Sequence, residues 1–178
     1  FTSTDETNYY FECSNEGFEG ALDRLAQFFI CPNFSEDCTN REVRAVDSEF
    51  VQSQQSEFWP YFYLLKSMAS PDSPFSYFDF GNLESLEKEG IRDSLLAFHK
   101  KYYSANLLAL TVVGKFDLAT LEGWVTEKFS AVVNNDVVLP PQDTEPIFPA
   151  DRLQKLVKYV PVKDKETLML VFAVPYCQ

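Results

Sequence analysis

Residues 134–150 carry four prolines, Pro140, Pro141, Pro146 and Pro149, and almost no periodicity. Proline lacks the amide hydrogen that a helix interior or a central strand needs, and it restricts the residue before it. No regular element can run through such a stretch, so it divides the chain and reads as a linker. The expected organisation is a first domain over residues 1–135, a linker over 136–150 and the first strands of a second domain over 151–178. Two strand-like runs, 153–160 and 168–174, follow the linker, joined by the charged Lys163-Asp164-Lys165-Glu166. Two short strands are too little to form a domain alone. They read as the start of a domain that the sequence cuts off.

Upstream of the linker, helical and strand periods alternate. Tyr9, Phe11 and Cys13 fall on one side of an extended chain, and Tyr10 and Glu12 on the other, which predicts a half-buried strand. Ser14-Asn15 offers an N-cap, and Phe18, Leu22, Leu25, Ala26 and Phe29 follow at helical spacing until Pro32 stops the helix. Ser35 can cap a second helix whose apolar stripe is Val43, Val46 and Phe50, with Glu36 and Asp37 suited to its positive end. That helix weakens near residues 52–56. An aromatic-rich segment follows, with Phe58, Trp59, Tyr61, Phe62, Leu64, Leu65 and Met68.

Residues 70–74 are turn-rich, and 75–82 are irregular and aromatic. Residues 91–103 predict an amphipathic helix and 107–114 a buried strand. Asp117 can cap a helix carrying Leu118, Leu121, Val125 and Phe129 on one face. The alternation predicts an α+β fold, an antiparallel-rich sheet with helices packed on one face.

Composition narrows the function. The chain is 178 residues long, 46% hydrophobic and 16% aromatic, enough for one good core. A net charge of −12 disfavours nucleic acid and anionic membranes as partners. No apolar run reaches about 18 residues, so no membrane-spanning helix is expected. The chain begins at Phe1 without a methionine or a visible signal peptide, which fits a processed or a trimmed protein. Cys13, Cys31, Cys38 and Cys177 form no Cys-x-x-Cys pair, so a zinc knuckle is not expected, and a core of this size favours reduced thiols.

Glu42 and Glu49 stand seven residues apart, almost two helical turns, and project from nearly the same side. They flank the Val43/Val46/Phe50 stripe at the edge of the core. By spacing alone they are more often two solvated glutamates; the alternative is a carboxylate metal ligand with a supporting carboxylate. Asp47 points away from both and reads as solvated. His99 is the one histidine, late in a helix, where a structural or capping role is commoner than catalysis. Only six glycines occur, with no Gly-x-Gly pair, so phosphate loops are absent. Trp59 and Phe62, one turn apart, fit either core packing or the lining of a hydrophobic pocket.

Several stretches together resemble the pitrilysin (insulinase) family of metallopeptidases, in its insulin-degrading enzyme group. They are Phe1-Thr2-Ser3 with Thr7-Asn8-Tyr9-Tyr10-Phe11, Glu19-Gly20-Ala21-Leu22-Asp23-Arg24 with Ala26-Gln27-Phe28-Phe29, and Arg41-Glu42-Val43 with Ala45-Val46-Asp47-Ser48-Glu49. Pro74-Phe75-Ser76, Gly81-Asn82, Glu89-Gly90-Ile91 and Tyr102-Tyr103-Ser104-Ala105-Asn106-Leu107 continue it, and a looser match reaches Val160-Pro161-Val162-Lys163-Asp164. The resemblance covers essentially the whole chain in one register.

The resemblance implies an αβ roll, truncated at both ends, from a zinc metalloendopeptidase that hydrolyses peptides and small proteins. The family's inverted His-x-x-Glu-His motif supplies two zinc ligands and a general base, and a downstream glutamate supplies the third ligand. By resemblance Glu49 is that zinc ligand and Glu42 its supporting acidic residue. Family zinc lowers the pKa of its bound water toward ~7 and polarises the scissile carbonyl. An extended substrate strand pairs with an exposed sheet edge in this domain. Phe1, Trp59 and Phe62 are carried over as substrate-binding residues.

The chain departs from the family by lacking His-x-x-Glu-His, and by reading Ser48-Glu49-Phe50 where close relatives read Ser-Glu-His. The expectation is a fragment that is inactive alone and holds zinc poorly, with the remainder of the parent chain as partner. Core surface left open predicts self-association or a covering segment. The alternative is a non-catalytic homologue acting as a peptide-binding or partner-subunit module. The resemblance implies a cytoplasmic location, with secreted forms also known.

Overall fold

In the computed structural model, residues 1–3, 6–78, 80–140, 146–164 and 166–174 are described. Among the described residues six α-helices carry the order: α1 (Phe18–Ile30), α2 (Glu36–Ser53), α3 (Phe58–Ser67), α4 (Leu83–Leu86), α5 (Ile91–Tyr102) and α6 (Leu118–Phe129). Single 3₁₀ turns at Asn15–Gly17, Pro74–Ser76, Ala105–Leu107 and Ala150–Arg152 punctuate them. The chain divides into two compact units, Phe1–Phe34 with Arg92–Val138, and Ser35–Ile91 with Leu139–Gln178.

In the first unit α1 packs against α6. The contact is built on Leu22 and Ala26 of α1, 2% and 0% exposed, and on Leu121 of α6. Leu22 and Ala26 both fall on the one apolar face of α1 that the helix buries. Phe18, Phe116 and Trp124 extend this core as a cluster of rings, with Phe116 and Trp124 centroids 4.9 Å apart. Beside this cluster, in the first turn of α1, Glu19 is reached by Lys128 of α6 at 3.2 Å. Asp117 begins α6, accepting from Thr120 N–H at 3.0 Å and from the Thr120 hydroxyl at 2.8 Å. Ser14 precedes the turn into α1 but makes no side-chain cap there.

A second cluster in this unit gathers around Tyr103. The Tyr103 and Tyr9 hydroxyls are hydrogen-bonded to each other. His99 stacks on the Tyr103 ring at 4.4 Å, and its Nε2 lies 3.1 Å from the Phe28 carbonyl oxygen. His99 is thus a structural residue, in line with its position late in a helix. Burial and the Tyr9 contact push the Tyr103 phenol well above its usual range.

In the second unit Ser35 caps α2, accepting from Cys38 N–H at 3.4 Å, and Val43 is the buried member of the predicted stripe. The short α4 was not expected from sequence. Its Asn82 and Ser85 form a reciprocal cap, and it packs on α2. Gly81 permits that approach: a Cβ there would lie 2.2 Å from Leu86 Cδ1 and 3.2 Å from Val46.

The predicted antiparallel sheet is not formed. Among the described residues the only β pairing is an isolated bridge between Thr2 and Thr7. Residues 8–13, 153–160 and 168–174 have no regular structure and stand exposed, with Leu156 at 77% and Phe172 at 79%. Residues 108–114 are also irregular, and Val113 is 84% exposed. Alternating apolar residues make a strand only where a neighbouring chain meets the backbone N–H and C=O groups, and among the described residues no strand pairs with these runs. The α+β expectation is therefore corrected to a helical architecture among the described residues. Leu118, placed on the buried face of α6 by spacing, is also exposed.

Leu22→Ala should cost about 2–5 kcal/mol of stability, because it removes buried methyl groups beside an alanine that cannot fill the space; urea unfolding followed by circular dichroism measures it. Asp117→Ala should lower the melting temperature at neutral pH. Hydrogen bonds from Thr120, its backbone N–H first, hold the Asp117 carboxyl below its ordinary value of 3.8. The cap therefore stabilises above that value and is lost as pH falls through the depressed folded value. Melts of both proteins should converge in acid; an equal gap at all pH values would refute the assignment.

Candidate functional site

The site expected from sequence falls on α2 and α3. Gln54 N–H bonds to the Phe50 carbonyl at 3.2 Å and Gln55 N–H to that of Gln52 at 3.1 Å, which winds down the end of α2. The Ser56 hydroxyl then accepts Phe58 N–H at 3.1 Å and starts α3. This tight connection returns Trp59 to the last turns of α2. An open cleft of about 460 Å³ lies there, lined by Glu49, Gln52, Ser53, Gln55, Ser56, Trp59 and Phe80.

Two of the expected residues, Glu49 and Trp59, therefore share one cleft. Glu49 is exposed on its wall. Phe80 meets Trp59 nearly perpendicular, with centroids 4.8 Å apart. Phe62 does not line the cleft; it packs behind it, 6.1 Å from Trp59 and stacked on Phe58 at 5.5 Å. Glu42 is exposed on α2, nearly two turns before Glu49, and is also outside the lining. Phe1 belongs to the first unit, where it lines a separate cavity of about 480 Å³ with Tyr10, Arg24 and Phe28.

Asp47 departs from expectation. It is half-buried, and its Oδ1 accepts the Leu83 N–H at 2.9 Å, satisfying the first free amide of α4. The sequence held a signal for this. Asp47 is one turn beyond Val43, on the flank of the apolar stripe opposite the two glutamates. Phe80 was hidden in a stretch read only as irregular and aromatic, and Lys66, buried in α3, had no signal at all.

Among the described residues no group of three or more His, Cys, Asp or Glu could hold a metal ion. Glu49 faces amides and hydroxyls, which are poor zinc ligands, so these residues do not by themselves fit zinc. Cys13, Cys31 and Cys38 are free thiols, and Cys177 lies outside the described residues. No helix among the described residues is long and apolar enough to cross a membrane.

The family profile described as insulinase (peptidase family M16) matches residues 1–64. That described as the peptidase M16 inactive domain matches residues 90–178, half of the chain. The chain belongs to the insulinase family of peptidases, M16. It is 47% identical to the insulin-degrading enzyme of Bos taurus over 174 residues, covering 94% of this chain and 17% of that protein. The Homo sapiens insulin-degrading enzyme matches to the same extent. A putative zinc protease of Schizosaccharomyces pombe, mug138, is 41% identical over 181 residues, covering 98% of this chain and 19% of its own length. The crystal structure of pitrilysin superposes with a TM-score of 0.70 and 30% identity, covering 78% of this chain and 15% of that one. The chain thus spans less than a fifth of the length of these relatives.

Asp47→Ala should cost about 1 kcal/mol by leaving the Leu83 amide without its acceptor, whereas Glu49→Gln should change stability by less than about 0.5 kcal/mol. Chemical unfolding of the two variants beside the parent protein separates the structural from the exposed carboxylate.

Proposed function

We propose that this chain is part of a zinc metalloendopeptidase that hydrolyses peptides and small proteins. Glu49 is its glutamate zinc ligand, and Glu42, on the same helix, is the supporting acidic residue. Trp59 binds substrate in the cleft with Phe62 packed behind it, and Phe1 is a separate substrate contact within the first unit. The observation that carries this reading is the shared cleft: an accessible carboxylate beside an aromatic wall, in a chain 47% identical to insulin-degrading enzymes. The name of the S. pombe relative, a putative zinc protease, supports the metal. The histidine ligands and the general base have no counterpart in these 178 residues, which hold one histidine. They and the remainder of the catalytic chamber are supplied from outside this sequence.

In this reading residues 1–135 belong to the zinc-site domain, 136–150 link it onward, and 151–178 open the next domain. The location is cytoplasmic. The unpaired apolar runs are covered by the remainder of the parent protein, or by self-association.

A second reading is a non-catalytic homologue that binds peptides or a partner subunit; the profile over residues 90–178 is described as an inactive domain, which leaves that stretch without a catalytic role in either reading. An intact His-x-x-Glu-His in the coding sequence upstream of Phe1 supports the peptidase; a degenerate one supports the binding module.

The chain of 178 residues should show neither turnover of a quenched peptide nor zinc binding at micromolar concentration by calorimetry, because one carboxylate makes a weak zinc site. In the longer protein Glu49→Gln should strip most of the zinc, read by metal analysis. Full zinc occupancy in that variant would remove Glu49 from the ligand set.

A further inference from the structure

Lys66, in the last turn of α3, is 5% exposed. A buried ammonium is costly unless its hydrogens and its charge are both met. Its Nζ donates to the carbonyl oxygens of Phe75 at 2.9 Å and Tyr77 at 3.2 Å. It also lies over the rings of Phe62 and Phe75, 5.1 and 4.7 Å from their centroids. Phe62 and Phe75 meet nearly perpendicular at 5.8 Å, so the two rings form adjoining walls of one cage.

The segment that Lys66 holds is the one that leads to the cleft. Its other hydrogen bonds are largely internal. Phe75 N–H bonds to the Ser73 hydroxyl at 3.3 Å, the Ser76 hydroxyl to the Pro71 carbonyl at 3.3 Å, and Tyr77 N–H to the Pro74 carbonyl at 3.1 Å. These shape the turn without attaching it to α3. Phe78 packs on Phe50 and Tyr63, but ring contacts tolerate sliding. The two bonds from a charged donor are directional and fix where the segment lies along the helix. Three residues after Tyr77, Phe80 reaches Trp59 and completes the aromatic wall.

We infer that Lys66 is a positioning residue for the Glu49 cleft: held by the Phe75 and Tyr77 carbonyls, its ammonium sets the path of the segment that places Phe80 against Trp59. The consequence for substrate rests on the proposed function above, whereas the placement itself can be read without any peptide. Lys66 touches no reacting group and acts through Phe80.

The test uses Trp59 as reporter, with Trp124→Phe as background so that Trp59 is the single tryptophan. Lys66→Met should reduce the near-ultraviolet circular dichroism of Trp59 by half or more, matching Phe80→Leu. Combining the two should add nothing, since both act on one contact. Lys66→Arg, which keeps charge and donors, should restore most of the signal.

An unchanged Trp59 signal in Lys66→Met with intact helical dichroism would overturn the inference, as would additive losses in the double variant. If Lys66→Met loses its helices, Phe75→Leu decides in the same sense, because it removes one wall of the cage and no charge. A fluorescent apolar decapeptide should bind about fivefold more weakly to Lys66→Met than to the parent, and no more weakly still to the double variant. Loss of the Trp59 signal with no peptide binding by the parent would leave the positioning role standing and refute the peptide-binding reading.

Discussion

A backbone amide must find a partner, and a helix finds all but its end partners within itself. That constraint governs this protein. Each of the longer helices closes its own hydrogen bonds over ten or more residues and needs neighbours only for its apolar face. The first unit meets that need by laying α1 on α6 at Leu22, Ala26 and Leu121. The extended runs cannot proceed in the same way. At 153–160 and 168–174 the side chains alternate as in a strand, yet among the described residues no second strand receives them and the leucines and valines stand exposed. Apolar surface of this extent is a demand for a partner.

Where two elements of the second unit meet, charge does much of the work. Asp47 takes the first amide of α4, and Lys66 takes two carbonyls beyond α3. All three bonds satisfy a backbone group that a short or irregular segment cannot satisfy itself, and each involves a charged side-chain type, which makes it stronger than a neutral bond. Such contacts are specific where aromatic packing is permissive. Beside the rings of Phe58, Trp59, Phe62 and Phe75, the Lys66 ammonium meets two named carbonyls, a contact with direction as well as proximity.

Local signals were legible and pairwise ones were not. Ser35 and Asp117 cap the helices that their side chains predict, and Leu22, Ala26 and Val43 are buried as their spacing requires, because a cap and a stripe are properties of consecutive residues. The strand expected at 107–114 failed because alternation reports a preference that only a distant partner realises. Leu118 failed because a first-turn position can project past the end of the helix it packs on. Phe80 and Lys66 were invisible for the same reason: what they touch is set by a fold-back of a segment whose own sequence has no period.

Glu49 sits at the limit of what spacing can reveal. A carboxylate that is to bind a metal from a cleft has to remain reachable, so its exposure is the same as that of any solvated glutamate on a helix. Asp47, two residues earlier, looks equally polar in sequence yet serves the fold through Leu83. Helical spacing cannot separate the two roles, because position on a wheel fixes direction and not what lies in that direction. The distinction comes from what stands opposite each side chain. For Asp47 it is a backbone amide that would otherwise be unmet. For Glu49 it is open volume bounded by Trp59 and Phe80. A carboxylate facing open volume does not hold the structure together, so the fold alone gives no reason to keep a glutamate there.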